Sequence, residues 1–155
     1  MILVYEVELQ MLPLHRRCIL SEHISTCFCR PFPVLRLGEF QKAALYQEKG
    51  KIVGLAVVRE ISTEGQTLQI PTVECISVLP ENRRRGAGKE LLKFITSDMG
   101  YRTLMLHIDK PANPFYHFAK SLYISAGFVV AREDDLECEM VWERARPSDI
   151  KEDSV

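Results

Sequence analysis

The chain has 155 residues, which suggests one domain that can bury a substantial core. Its apolar content of 46% and charged content of 26% are ordinary for a globular protein that folds in water. The formal net charge of −1 argues against a dedicated nucleic-acid binder, and the lack of a long apolar run means that no membrane-spanning helix is predicted.

Hydrophobic periodicity divides the chain into strands and helices. Strands dominate the first half, and a strand–helix–strand–helix–strand order follows, which implies a mixed sheet with helices on both faces. Pro31 and Pro33 end the first helix, and residues 35–41 fit either a short helix or a loop. The predicted elements are a strand over 4–11, a helix over 14–28, strands over 43–47 and 52–61 that turn at Gly50, a strand over 67–78, a helix after Gly88, a strand over 103–108, a helix from Pro114, and strands over 128–132 and 136–142.

We predict a single domain over residues 1–143 and a polar, flexible tail over 144–155. The opening residues lack a basic flank, so they make a poor signal peptide and a cytoplasmic location is expected. Five cysteines without framework spacing indicate reduced thiols. His23, Cys27 and Cys29 are metal-ligand residue types, but a fourth ligand and the usual spacing are missing, so no metal is predicted.

The most informative segment joins the strand that ends at Val78 to the helix that follows Gly88. A helix start leaves its first amide N–H groups without partners, and those groups attract phosphates. Glycines let a phosphate approach the backbone closely, and arginines add permanent positive charge. The segment therefore predicts a diphosphate cradle, whose charged and glycine residues are Arg83, Arg84, Arg85, Gly86 and Gly88.

Two common phosphate-binding motifs do not fit this segment. A P-loop needs Ser or Thr after Gly-Lys, where this chain has Glu90, and the dinucleotide fingerprint needs a third glycine, where it has Leu91. Arg83-x-x-Gly86-x-Gly88 instead resembles the acyl-coenzyme-A motif of the GNAT N-acetyltransferase superfamily. One departure is Arg84, since many members carry glycine there.

A second segment, after Asn113, is predicted to be a helix. Asn113 is a good N-cap, Pro114 suits the first helical position, and Gly127 suits a left-handed helix end. The run Ala119-x-x-Leu122-Tyr123-x-x-x-Gly127-Phe128 is similar to the second conserved block of the same superfamily. Helical spacing predicts a core face made of Phe115, Phe118, Ala119, Leu122 and Ala126.

The resemblance implies an α+β fold with a central mixed sheet of six to seven strands. In this fold two central parallel strands splay apart, helices cover both faces, and acetyl-coenzyme A lies between the splayed strands as co-substrate. Backbone groups of Ile76 and Val78 are expected to contact its pantetheine arm. The residues expected to hold its pyrophosphate are Arg83, Arg84, Arg85, Gly86, Ala87, Gly88 and Lys89.

The resemblance makes Tyr123 the expected general acid. A phenol with a pKa of about 10 stays protonated at neutral pH and can support a leaving thiolate. Glu74, on the strand that enters the cradle, is the first candidate for the general base, and His107 is its rival. A partly desolvated glutamate can have its pKa raised toward neutrality, as a base requires.

The expected reaction is acetyl transfer to a primary amine of a small molecule or peptide, by direct attack in a ternary complex. The alternative is a non-catalytic acyl-coenzyme-A-binding sensor in the same fold. Neither a nucleic-acid nor a membrane partner is expected, and a homodimer is compatible with the resemblance. An acidic acceptor pocket would favour a cationic amine; its candidate residues are Glu22, His23, Glu133, Asp134, Asp135, Glu137 and Glu139.

Overall fold

The computed structural model describes residues 1–28, 37, 42–61, 64–111 and 113–145. Pro31, Pro33, Cys29, most of residues 35–41 and most of the predicted tail lie outside these ranges. Within them, no helix is long and apolar enough to cross a membrane. The elements are β1 (Ile2–Glu8), α1 (Leu14–Phe28), β2 (Lys42–Glu48), β3 (Lys51–Ile61), β4 (Thr67–Val78), α2 (Ala87–Ser97), β5 (Thr103–Asp109), α3 (Tyr116–Ser125), β6 (Val129–Glu133) and β7 (Glu137–Glu143).

One seven-stranded sheet runs through the molecule in the order β1-β2-β3-β4-β5-β7-β6. Every neighbouring pair is antiparallel except β4 and β5, which are parallel. These two strands share a single register pair, Thr72 with Met105, and they separate beyond it. The predicted mixed sheet with splayed central strands is therefore confirmed, and a gap opens between the carboxyl ends of β4 and β5.

Helices cover both faces of this sheet, as the sequence predicted. Leu20 and Ile24 of α1 are buried against one face, and α2 and α3 pack on the other. Alternating strand residues supply the two cores, so Val57 lies on the α1 side of β3 and Val58 on the α2 side. Each face buries a separate apolar cluster, and the gap therefore has a helix-covered wall on either side.

The core face predicted for α3 is partly wrong. Phe115 and Phe118 are 59% and 62% exposed. The helix begins at Tyr116 rather than Pro114, because the side chain of Asn113 accepts the N–H of Phe115 at 2.9 Å and forms a turn first. The packed stripe therefore rotates toward the tyrosine side of the helix and consists of Tyr116, Ala119, Leu122, Tyr123 and Ala126.

Three local predictions can be checked against backbone geometry. Gly127 follows α3 with a φ of 101°, and Phe128 donates its N–H to the Tyr123 carbonyl, as a left-handed helix end requires. Gly50 turns the β2–β3 hairpin with a φ of 78°. The first strand is shorter than predicted: β1 ends at Glu8, and Leu9–Met11 form a 3-10 turn that buries Leu9 completely.

Candidate active site

The unpaired edge of β4 forms one wall of the gap. The Leu79 N–H donates to the Val53 carbonyl of β3 at 2.9 Å, so the peptide groups of Leu79 face β3. Since peptide groups alternate along a strand, those of Ile76 and Val78 point away from β3 and into the gap. Their backbone groups thus lie along the gap, where the Val78 carbonyl also accepts a hydrogen bond from Arg83 Nε at 2.9 Å, and their contact with an extended ligand stays a prediction.

The loop after β4 has the geometry of an anion site. Gly86 precedes α2 with a φ of 87° and no side chain caps the helix start. The first intrahelical bond runs from the Glu90 N–H to the Gly86 carbonyl at 2.9 Å. Within the described ranges no acceptor serves the N–H groups of residues 87–89, so these point outward as an array that suits a phosphate.

The charged side chains of this loop divide into two groups. Arg84, Arg85 and Lys89 are exposed beside the α2 N-terminus. The Arg83 guanidinium instead donates to protein carbonyls: its Nε is 2.9 Å from the Val78 oxygen and its Nη2 is 3.3 Å from the Cys27 oxygen. The predicted role of Arg83 as a pyrophosphate ligand therefore has to compete with two internal contacts.

Arg84, where the chain departs from the family motif, has an unusual backbone conformation. Arg84 adopts a φ of 64°, the left-handed conformation that glycine accepts without a Cβ penalty. For other residues this conformation costs about 1–2 kcal/mol. The glycine found there in many members therefore fits the local backbone better than the arginine of this chain.

We expect Arg84→Gly to raise the free energy of unfolding by about 0.5–1 kcal/mol, because relief of the left-handed strain exceeds the extra chain entropy of glycine. Urea denaturation measures this change. Arg85→Gly is the matched control, since it removes the same charge from a residue without positive φ; it should lower stability by about 0.5–1 kcal/mol. A loss of stability in both variants would contradict the strain argument.

Tyr123 approaches the gap from the α3 side. Its ring packs 5.8 Å from that of Phe128, in a half-buried position. Burial raises the pKa of Tyr123 above its usual value of 10, and the Cys75 thiol of β4 adds a smaller electrostatic effect. Tyr123 is thus protonated at physiological pH, and its role as the general acid stays a prediction.

Glu74 occupies a β-bulge in β4. Val57 of β3 pairs with Cys75 and Val58 pairs with Val73, so Glu74 is the extra residue between them. A bulge re-aims a side chain and is frequent beside active sites. The Glu74 carboxylate lies 3.0 Å from Nε of Arg59. The sequence carried no signal for this ion pair, because it depends on the register between β3 and β4.

His107, the rival base, is exposed on β5. Leu106 and Ile108 belong to the α2–α3 cluster, so strand alternation puts His107 on the α1 face. Its Nδ1 is 4.0 Å from a Glu139 oxygen. The two candidate bases therefore belong to strands on opposite sides of the gap.

The acidic β6–β7 hairpin carries its own compensating cations. Glu133 accepts hydrogen bonds from Tyr116 and Lys120, and these lower the pKa of its carboxyl. Arg132 contacts three further carboxylates, those of Asp134, Glu137 and Glu139. The negative lining that the sequence suggested for an acceptor pocket is thus largely paired, and it gives little support to a preference for cationic amines.

His23 is a metal-ligand residue type and a candidate for the acceptor pocket in the sequence. In the structure it is buried between α1 and β4. Its Nδ1 lies 2.9 Å from the Ser77 hydroxyl and 3.7 Å from the Cys27 sulfur. Burial lowers the pKa of His23 from 6.5, with a smaller opposing effect from a hydrogen bond with the Val53 backbone. The neutral ring therefore joins α1 to the strand that carries the site.

We expect acid to weaken the fold through His23. Its depressed pKa means that the unfolded chain binds more protons below pH 6.5, so this stability is present above pH 6.5 and is lost as pH falls toward the folded-state value. The urea midpoint of the native protein should be lower at pH 5.5 than at pH 7.5. The contribution of His23 to the free energy of unfolding should change by at most about 1.4 kcal/mol per pH unit. His23→Gln should flatten the dependence, and His117→Gln, at an exposed position, is the control for the loss of an imidazole.

Comparison with known proteins agrees with this fold. The acetyltransferase (GNAT) domain family matches residues 41–130, which is more than half of the chain and includes both motifs. Among curated protein sequences no significant match is found. This match defines the class of protein as an acetyltransferase. The chain belongs to the GNAT acetyltransferase family.

Solved structures share this fold over nearly the whole chain. The ribosomal-protein-S18-alanine N-acetyltransferase from Escherichia coli superposes with a TM-score of 0.68 at 18% identity, covering 94% of this chain and 97% of that one. A putative GNAT-family acetyltransferase from Desulfovibrio desulfuricans gives 0.69 at 19%, covering 92% and 100%. A putative acetyltransferase from Salmonella typhimurium, solved with its cofactor acetyl-CoA, gives 0.64 at 15%, covering 94% and 98%.

Proposed function

We propose that this protein transfers the acetyl group of acetyl-coenzyme A to a primary amine of a small molecule or peptide, in the cytoplasm and by direct attack in a ternary complex. One observation carries the proposal: the edge of β4 that faces the gap leads from the bulge at Glu74 to the amides of residues 87–89, and Tyr123 packs against the same apolar cluster as Ile76 and Val78 of this strand. Between Glu74 and Val78 this edge spans about 13 Å. An extended arm with a thioester at one end and a diphosphate at the other fits such an edge.

The chain's residues can supply each step of the transfer. The first amides of α2, with Arg84, Arg85 and Lys89, hold the diphosphate; each charge-assisted hydrogen bond contributes about 1.5–3 kcal/mol. As the amine nitrogen bonds to the acetyl carbon, Glu74 accepts its proton. As the carbon–sulfur bond breaks, Tyr123 gives its proton to the leaving sulfur.

The ion pair between Glu74 and Arg59 favours a second candidate function, that of a non-catalytic sensor. The Glu74 carboxylate is engaged with Arg59 at 3.0 Å, and a non-catalytic acyl-coenzyme-A sensor needs no base. The sensor would keep the β4 edge and the anion loop but would not respond to amines. Binding and turnover measurements separate the two functions.

The test combines calorimetry with a thiol-release assay. Acetyl-coenzyme A is titrated into the protein, and release of free coenzyme A is then followed with an amine panel: an alanine-initiated peptide, lysine, spermidine and phenylethylamine. Stimulation by any amine supports the transferase. Binding without stimulation supports the sensor, and absence of binding overturns both functions.

We expect Glu74→Gln to lower kcat at pH 7 by about 100-fold, which is within the usual effect of a general base. Affinity for acetyl-coenzyme A should stay unchanged, because the side chain is directed to Arg59 rather than to the anion loop. Steady-state kinetics and calorimetry give the two values. Glu64→Gln, in the exposed β3–β4 turn, is the control. A Glu74→Gln enzyme within threefold of native kcat would move the base role to another group, with His107 next.

A further inference from the structure

Arg83 stands at the mouth of the gap and contacts three separate parts of the chain. Its Nε donates to the last gap-facing carbonyl of β4, that of Val78, at 2.9 Å. Its Nη2 donates to the Cys27 carbonyl in the last turn of α1, at 3.3 Å. The guanidinium carbon lies 5.6 Å from the centre of the Phe115 ring, which follows β5. One side chain therefore connects the end of β4, the segment after β5 and the last turn of α1.

The contact with α1 has a clear electrostatic reason. The last four carbonyls of a helix lack intrahelical partners and carry partial negative charge. Helix α1 has no basic residue in its own last turn. Arg83 supplies that cation from a position 56 residues further along the chain. A planar guanidinium can reach two carbonyls and stack on a ring at once, which a lysine ammonium cannot do.

We propose that Arg83 is a positioning residue, which ties the end of α1 and the Phe115 segment to the coenzyme loop, and is not a ligand of the coenzyme phosphates. The proposal rests on the proposed function, since it assigns diphosphate binding to one set of cations in the loop and a structural role to Arg83. Arg84, Arg85 and Lys89 face the anion. Arg83 holds the wall of the gap from which the acceptor amine has to approach, because the end of α1 and the bulge at Glu74 share that face of the sheet.

Three variants of the full chain test this division. Arg83→Ala removes the contacts, Arg83→Lys keeps the charge but not the planar fork, and Arg85→Ala removes the same charge from the exposed part of the loop. Calorimetry with coenzyme A measures anion binding in each variant. Hydrogen exchange followed by mass spectrometry measures the opening of the last turn of α1, at the amides of residues 24–28.

Both Arg83 variants are expected to bind coenzyme A within threefold of the native affinity and to exchange at least tenfold faster at residues 24–28. Arg85→Ala is expected to weaken coenzyme A binding by tenfold or more, with native exchange. In turnover, Arg83→Ala should raise KM for the amine while KM for acetyl-coenzyme A stays native. This split would not follow from a general loss of stability.

Two results would overturn the proposal. The first is a loss of coenzyme A affinity beyond threefold in Arg83→Ala that Arg83→Lys restores, because charge alone would then account for the role. The second is native exchange at residues 24–28 in both Arg83 variants. If Arg83→Ala does not fold, Arg83→Lys decides by its exchange alone. If the native protein binds no coenzyme A, the proposed function fails. The exchange measurement still decides whether Arg83 holds the last turn of α1 in place.

Discussion

Tyr123→Phe should lower kcat by about 10²–10³-fold while leaving acetyl-coenzyme A affinity and stability close to native. The variant removes only the hydroxyl that the proposed function makes the general acid, and a positioned general acid typically contributes 10²–10⁴ in rate. The ring remains, so its packing on Phe128 and the helix end at Gly127 are preserved. Steady-state kinetics, calorimetry and urea denaturation measure the three quantities.

Tyr116→Phe is the matched control on the same packed stripe of α3, two turns before Tyr123. Its hydroxyl donates to Glu133 at the end of β6, and its loss should leave kcat within about twofold. The raised pKa of Tyr123 adds a pH signature: the acid form persists above pH 10, so kcat of the native enzyme should show no alkaline fall below that pH from this group. Equal effects of both substitutions on kcat would mean that Tyr123 is not the general acid.

The order of elements could be predicted because each local signal agrees with the tertiary structure. Helix α1 and strand β4 have the predicted bounds, and Gly50 and Gly127 take the turn conformations expected of them. The error on α3 shows the limit of periodicity. Two exposed phenylalanines continued the apolar pattern, but the turn at Asn113 delayed the helix and rotated its buried face.

The candidate site was predictable where it depends on backbone. Amides at a glycine-rich helix start and the edge of a splayed strand follow from the motif, whatever the side chains do. The contacts of Arg83 with Cys27, and of Glu74 with Arg59, were not predictable, because each joins residues far apart in sequence through packing. Of three consecutive arginines, the sequence could not indicate which one turns inward.

Gly86→Val should weaken binding of acetyl-coenzyme A by about 100-fold. Gly86 has a φ of 87°, and a β-branched residue there costs more than the 1–2 kcal/mol of an ordinary left-handed residue. No described atom stands within 4 Å of the position of its Cβ, so the effect is one of backbone conformation and not of collision. A changed φ turns the amides of residues 87–89 away from a common point, which forfeits charge-assisted bonds of about 1.5–3 kcal/mol each.

Gly65→Val separates this local effect from general destabilisation. Gly65 has a φ of 83° in the β3–β4 turn, and its Cβ position is also open among the described atoms. Both variants should lose about 2 kcal/mol in urea denaturation, because a branched side chain disfavours the native φ at both positions and the local backbone has to move away from it. Only Gly86→Val should lose coenzyme affinity in calorimetry. Native affinity in Gly86→Val at the same loss of stability would mean that the α2 amides do not bind the diphosphate, since their orientation depends on this residue.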